Sequence, residues 1–264
     1  TRNDFSIRIG VNKEERTLTI TDNGIGMSES DLENNLGTIA QSGSLAFKEA
    51  NADAKDKEDV NVIGQFGVGF YSAFMVADKV TVITRRHGEE HAWLWESEGA
   101  DGYTVTPCEK AGEGTDVIMH VKPDTEDDKY SEYLDTARLR ELVKKYSDYI
   151  RHPIRMMVED YRQKEKPVDA GDDWKPEWET VTEEKTVNSM VPLWQRPRSK
   201  VKQEEYDSFY QDKFMDWQAP LATITTASEG TVTFNALLFI PGQAPYDFYT
   251  REYEKGLQLY SSGV

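Results

Sequence analysis

An Asn-Gly pair that closes an alternating strand is the strongest short signal for a β-hairpin. This chain carries one at Asn23-Gly24, yet no strand returns from it. Ahead of the pair, Phe5, Ile7 and Ile9 alternate with polar residues. Leu18 and Ile20 do the same after the polar spacer Asn12-Lys13-Glu14-Glu15. That spacing predicts two strands. Behind the pair stands Ser28, with Asp31 three residues on in capping-box position. Leu32, Leu36 and Ile39 then share one helical face. The turn therefore joins a strand to a helix.

The rest of the chain reads in the same terms. Residues 48–61 are Ala, Lys, Asp, Glu and Asn with almost nothing large and apolar, a composition expected to be mobile. A glycine-rich stretch, Gly64 to Phe70, runs into the apolar, helix-like segment Tyr71 to Ala77. Strands are predicted at 79–84, 91–95, 103–106 and 115–121. Residues 127–150 predict an amphipathic helix with Leu139, Leu142, Val143, Tyr146 and Ile150 on one face, stopped by His152-Pro153. Residues 159–185 hold ten acidic and five basic side chains and two prolines, the composition of a solvated tether. A second domain begins near Thr186, with a helix over 203–214 and a strand over 231–240.

Composition narrows the function. The net charge of −17, without a run of five Lys or Arg, argues against nucleic acid as a main partner. The single cysteine, Cys108, forms no internal disulfide and suits a reducing compartment. No apolar run reaches the roughly 18 residues of a membrane span. The opening Thr1-Arg2-Asn3-Asp4 has neither an initiator Met nor an apolar leader, and both ends read as cuts in a longer chain. His87, His91, His120 and His152 show no metal-ligand spacing. Phe234, Leu238 and Ile240 read as core, as do Phe209, Tyr210, Phe214 and Trp217.

Three motifs carry chemistry. Asp22-Asn23-Gly24-Ile25-Gly26-Met27 is either a plain turn or a base pocket. A strand-end carboxylate accepts from a purine's exocyclic amine, glycines let backbone approach the ring, and Met packs on flat aromatic surfaces. Gly64 to Phe70 is either a flexible loop or a phosphate cradle, since glycines before a helix present backbone N–H groups to an anion. No Gly-Lys-Ser/Thr follows, so it is not a P-loop. Gly114-Thr115-Asp116 reads, alone, as a turn opening a strand.

Taken in order, an acidic turn, a lid of about 35 residues, a glycine-rich loop and Gly-Thr at a strand start resemble the GHKL ATPase superfamily. Within it the chain is similar to the ninety-kilodalton heat-shock chaperones, through Asn34 to Ala40, Ser42-Gly43, Ile63 to Tyr71, Lys145 to Asp148 and Phe239-Ile240-Pro241. Thr186 to Met190 followed by Pro192-Leu193-Trp194 resembles the bacterial type. The resemblance implies an α+β fold: an incomplete two-layer sandwich of the Bergerat type over 1–160, a charged linker over 161–185, and the start of an α/β middle domain over 186–264. It implies that Asp22 bonds the adenine amine, that Thr115 shares a water with it, and that Gly26 and Met27 line the base pocket. Asn35 would lie near the sugar and α-phosphate, and Gly67, Val68, Gly69 and Phe70 over the phosphates. Gln41 replaces the family's usual Lys. The family's water-activating Glu and magnesium-binding Asn lie upstream of Thr1, and its γ-phosphate Arg beyond Val264. No catalytic residue or metal ligand is therefore expected within this chain, which alone should not hydrolyse ATP. The implied function is an ATP- and Mg2+-dependent cytoplasmic stress chaperone. It would work as a homodimer on partly folded client proteins, with no nucleic-acid or membrane partner. A GHKL ATPase of DNA metabolism and a non-catalytic interaction module are the alternatives.

Overall fold

The computed structural model describes residues 4–37, 69–164, 178–229, 233–244 and 257–260, in two compact units that divide between Asn188 and Ser189. In the first unit the two N-terminal strands, β1 (Ile7–Asn12) and β2 (Thr17–Asp22), form an antiparallel pair. Helix α1 (Glu29–Asn35) follows. Ser28 caps it reciprocally with Asp31 at 3.2 and 2.9 Å, and Leu32, fully buried, anchors it to the core. A 3-10 turn (Phe70–Ser72) leads into the short helix α2 (Ala73–Val76). Strands β3 (Ala77–Arg85), β4 (Ala92–Ser97), β5 (Tyr103–Cys108) and β6 (Gly114–Val121) come next. Helix α3 (Thr136–Tyr146) and strands β7 (Ile154–Gln163) and β8 (Trp178–Thr186) complete the unit. All eight strands join one sheet in the order β5-β4-β3-β6-β2-β1-β7-β8, antiparallel except for the β1–β7 pair.

Register explains the layering. Side chains directly opposite on neighbouring strands share a face. One row therefore runs Ile9, Ile20, Val117, Val82, Trp95, and the next runs Val11, Leu18, Met119, Val80, Ser97. Apart from Ile20, which is 38% exposed, these rows line the core with Leu32, Leu139, Val143, Ile154 and Met156. Trp95, 2% exposed, stacks on Tyr103 at 5.8 Å and receives the edge of Phe70 at 5.4 Å. Burying an aromatic of this size contributes roughly 2–3 kcal/mol. On the opposite face polar pairs dominate, such as Thr81 donating to Glu96 at 3.2 Å and Arg8 to Glu184 at 2.7 Å.

Three expectations need correction. Helix α3 is shorter than 127–150, because the Asp135 carboxylate accepts from the Ala137 and Arg138 N–H groups at 2.7 and 3.2 Å and so starts the helix there. Tyr146 is 55% exposed and leaves the core face to Leu139 and Val143. The charged tether over 161–185 is, at both described ends, paired strand: β7 and β8 run antiparallel from Arg155–Thr186 to Gln163–Trp178. Their charges are matched across the ladder, where Lys185 is bonded to Asp160 and Arg162 lies 3.6 Å from Glu183, and along β8, where Lys185 also pairs with Glu183. Charge alone therefore hid two strands.

Asn188 closes the unit. It is buried; its Oδ1 accepts from the Ile154 N–H at 2.8 Å, and its Nδ2 donates to the Ile150 and His152 carbonyls at 2.9 and 3.0 Å. Asn188→Ala strands three backbone groups and is expected to cost about 2 kcal/mol, read as a lower denaturant midpoint. A midpoint unchanged from the wild type would contradict this role.

The second unit, 189–261, carries helix α4 (Gln203–Phe214) and the hairpin β9 (Ala222–Ser228) and β10 (Phe234–Ile240). Phe239 is its hub, within 5.3–6.1 Å of Phe209, Tyr210 and Phe214. The alternation predicted in β10 is present, but the helix takes the face of Phe239. Phe234, Leu238 and Ile240, expected in the core, are 42–48% exposed on the other face, and Trp217 is 95% exposed.

Candidate nucleotide-base site

The next row on this face is polar at its centre, between Ile7 on β1 and Trp93 on β4. Asp22 on β2 stands opposite Thr115 on β6, and Thr115 opposite Thr84 on β3. Three adjacent strands thus end in Asp, Thr and Thr on the face that elsewhere holds Ile, Val and Leu. Thr84 is 0% exposed and Thr115 is buried, while Asp22 is half-buried.

Several groups of the turn after Asp22 are tied down. The Asp22 Oδ1 accepts from the Gly24 N–H at 2.8 Å, and the carboxylate also takes the Thr115 N–H. Asn23 Oδ1 accepts from Ser6 N–H at 2.7 Å, and its Nδ2 donates to the Asp4 carbonyl at 2.8 Å. The His87 N–H donates to the Ile25 carbonyl at 2.7 Å, and the Met27 N–H to Thr84 Oγ1 at 2.9 Å. The Arg86 guanidinium holds Asp31 from the next turn. Two glycines make this possible. Gly26 has φ +69°, and a Cβ there would overlap the Arg85 carbonyl. Gly114 has φ +102°, and a Cβ there would overlap the Asp22 carbonyl. Only glycine adopts such positions freely.

Burial pushes the Asp22 carboxyl above the usual carboxylate range. The Gly24 and Thr115 N–H donors oppose the rise, Asp116 adds to it, and Lys110 opposes it. Lys110 is itself nearly buried and ion-paired to Asp116. The site is thus an ionisable acceptor, held at a fixed angle by backbone donors and flanked by side-chain-free backbone. That geometry fits a planar base bearing an amine.

Asp22, Gly26, Met27 and Thr115 are brought together. Asn35 is not: it lies partly exposed at the end of α1 and shares no hydrogen bond with the row among the described residues. Gly69 caps the 3-10 turn, its carbonyl accepting from Ser72 Oγ at 2.6 Å. Phe70 packs on Trp95 in the core. Gln41, Gly67, Val68 and the segment 48–61 lie outside the described residues. Thr84 was missed, although a threonine two residues after Val82 in an apolar strand signals a polar end to that row. A separate groove of about 470 Å³, lined by Thr136, Ala137, Arg140, Lys144 and Val158 among others, contains none of the expected site residues.

A mixed α+β unit with one large sheet, an acidic strand end and a Gly-Thr strand start is the GHKL ATPase type. Residues 3–111 match the family model described as histidine kinase-, DNA gyrase B- and HSP90-like ATPase. Residues 132–178 and 169–264 match the model described as Hsp90 protein, and the chain belongs to that family. It is 55% identical over 263 residues to the chaperone protein HtpG of Clostridium acetobutylicum, 53% to that of Bacillus licheniformis and 51% to that of Bacillus subtilis. Each match covers 100% of this chain and 40% of the relative, so the chain spans well under half the length of these relatives.

Proposed function

We propose that this chain is the nucleotide-binding region, with the front of the client-handling region, of an ATP-driven molecular chaperone. The observation that carries the reading is the Asp22–Thr115–Thr84 row beside Gly26 and Gly114. Asp22 accepts from the adenine amine, Met27 packs against the ring, and Gly67 to Phe70 and Gln41 belong to the phosphate end with Asn35. The HtpG relatives are chaperone proteins by name, and that supports the same activity here. The nucleotide-binding region runs to Asn188, and the second begins at Ser189, in line with the two compact units.

Mg2+ accompanies the phosphates. None of the site residues described above is positioned as its ligand, and the one site carboxylate is committed to the base. The residues that activate water therefore lie elsewhere, and these residues alone turn ATP over slowly. The protein works as a cytoplasmic homodimer under stress, on partly folded proteins and not on nucleic acid or membranes. The acidic charge of −17 and the lone Cys108 support that setting.

The test is made on the full-length protein. Calorimetry should show ATP binding, and aggregation of a heat-denatured substrate protein should be suppressed in an ATP-dependent way. Absence of ATP affinity, or salt-sensitive DNA binding in its place, would overturn the reading.

A further inference from the structure

Thr84 reaches no solvent, yet its hydroxyl stands where three hydrogen bonds meet. Oγ1 lies 2.9 Å from the Met27 N, 3.1 Å from Thr115 Oγ1 and 3.2 Å from the Gly114 carbonyl oxygen. A hydroxyl has one hydrogen and two acceptor positions. The Met27 N–H can only donate, so it takes one acceptor position. The Gly114 carbonyl can only accept, so it takes the hydrogen. The one arrangement that makes all three bonds has Thr115 donating its hydroxyl hydrogen to Thr84. The Thr115 oxygen is then left with lone pairs alone. Its neighbour across the ladder, the ionised Asp22 carboxylate, is also an acceptor.

We infer that Thr84 is a specificity-determining residue that acts through Thr115: it draws off the Thr115 hydrogen, so that the row presents only acceptors to the bound base. This rests on the base site proposed above and deepens it. A row of acceptors pairs directly with an exocyclic amine, which donates to it. It leaves the oxo group of hypoxanthine or guanine facing lone pairs. A site whose buried polar groups are left unpaired discriminates strongly against the analogue that cannot satisfy them. Thr84 also fixes the Met27 backbone, and with it the turn that carries Gly26.

The discriminating probe is ITP, which carries an oxo group where ATP carries the amine and an N1–H where ATP has a lone pair. Affinities for both are measured by calorimetry on the full-length protein, together with the melting temperature of each variant. In Thr84→Val the Thr115 hydroxyl is free to turn and donate, so ATP affinity should fall about tenfold and ITP affinity little, and the preference for ATP should shrink by about the same factor. Thr84→Ser keeps the hydroxyl and should retain the preference within about twofold. The melting temperature separates the roles. Equal losses for both nucleotides, tracking a lower melting temperature, would show a merely structural threonine and overturn the inference. So would an unchanged preference in Thr84→Val, or a preference lost equally in Thr84→Ser. Asp22→Asn serves as the control for the site itself. If it leaves ATP affinity intact, the base site falls and the inference with it. If it abolishes binding while Thr84→Val keeps the preference, only the inference falls.

Discussion

Asp22→Asn is expected to abolish ATP binding in the full-length protein while making the empty protein more stable. The carboxylate is held by the Gly24 and Thr115 N–H groups, so it meets the base without reorganising. A hydrogen bond to a charged group contributes about 1.5–3 kcal/mol, and an amide that turns its NH2 toward the adenine amine adds an unpaired donor. Together these predict a loss of about 100-fold or more. Stability moves the other way. Burial raises the folded-state pKa of Asp22 above its unfolded value. Ionised Asp22 therefore costs stability, fully above the folded pKa and not at all below the unfolded value of about 3.9. Asn removes that cost, by about 1 kcal/mol or less because the group is partly solvated. Melting curves should show the variant more stable than wild type at pH 7 and equal to it near pH 3. Calorimetry showing wild-type ATP affinity would contradict the assignment.

Gly114→Ala is expected to be strongly destabilising for a single added methyl. The residue has φ +102°, and the added Cβ would occupy the space of the Asp22 carbonyl oxygen and crowd the Asn23 Cα. Strained backbone and overlap with main chain leave no flexible side chain to yield. The β2–β6 ladder must open at the Asp22–Thr115 pair, where the carboxylate is oriented. The cost is about 3 kcal/mol or more. Nucleotide affinity should fall with it, because the same opening displaces Asp22. Gly112→Ala, with open space around its Cβ, should change stability little. A denaturant midpoint for Gly114→Ala within error of wild type would show that the strand ends are not packed as described.

How far the sequence carried these conclusions depends on what each residue had to satisfy. Alternation placed Ile7, Ile9, Leu18 and Ile20 on strands, because a half-buried antiparallel sheet imposes a period of two. The Ser28–Asp31 capping box was legible because it is local. Strands β7 and β8 were not, because many of their side chains are charged and pair across strands: Lys185 with Asp160, Arg162 with Glu183, Arg8 with Glu184. Such pairs look like solvated charge until register is known. Thr84 was hidden for a related reason. Its role depends on facing Thr115, 31 residues away, and on the Met27 N–H, 57 residues away. Asp22 and Thr115 came from the order of motifs and their resemblance to a family, and the ladder that puts them opposite each other supplies the physical reason for the pairing. In β10 the strand was legible and its buried face was not, since only the position of α4 decides between Phe239 and Leu238.

In the proposed function the Asp22–Thr115–Thr84 row receives the adenine of ATP. Its most direct test is a crystal structure of the full-length protein with ADP. The exocyclic amine should lie within hydrogen-bond distance of the Asp22 carboxylate, at about 2.7–3.2 Å, with the ring against Met27 and the Gly26 backbone. Density for the base anywhere else, such as the groove between α3 and β7, with the Asp22 carboxylate left facing water, would contradict it.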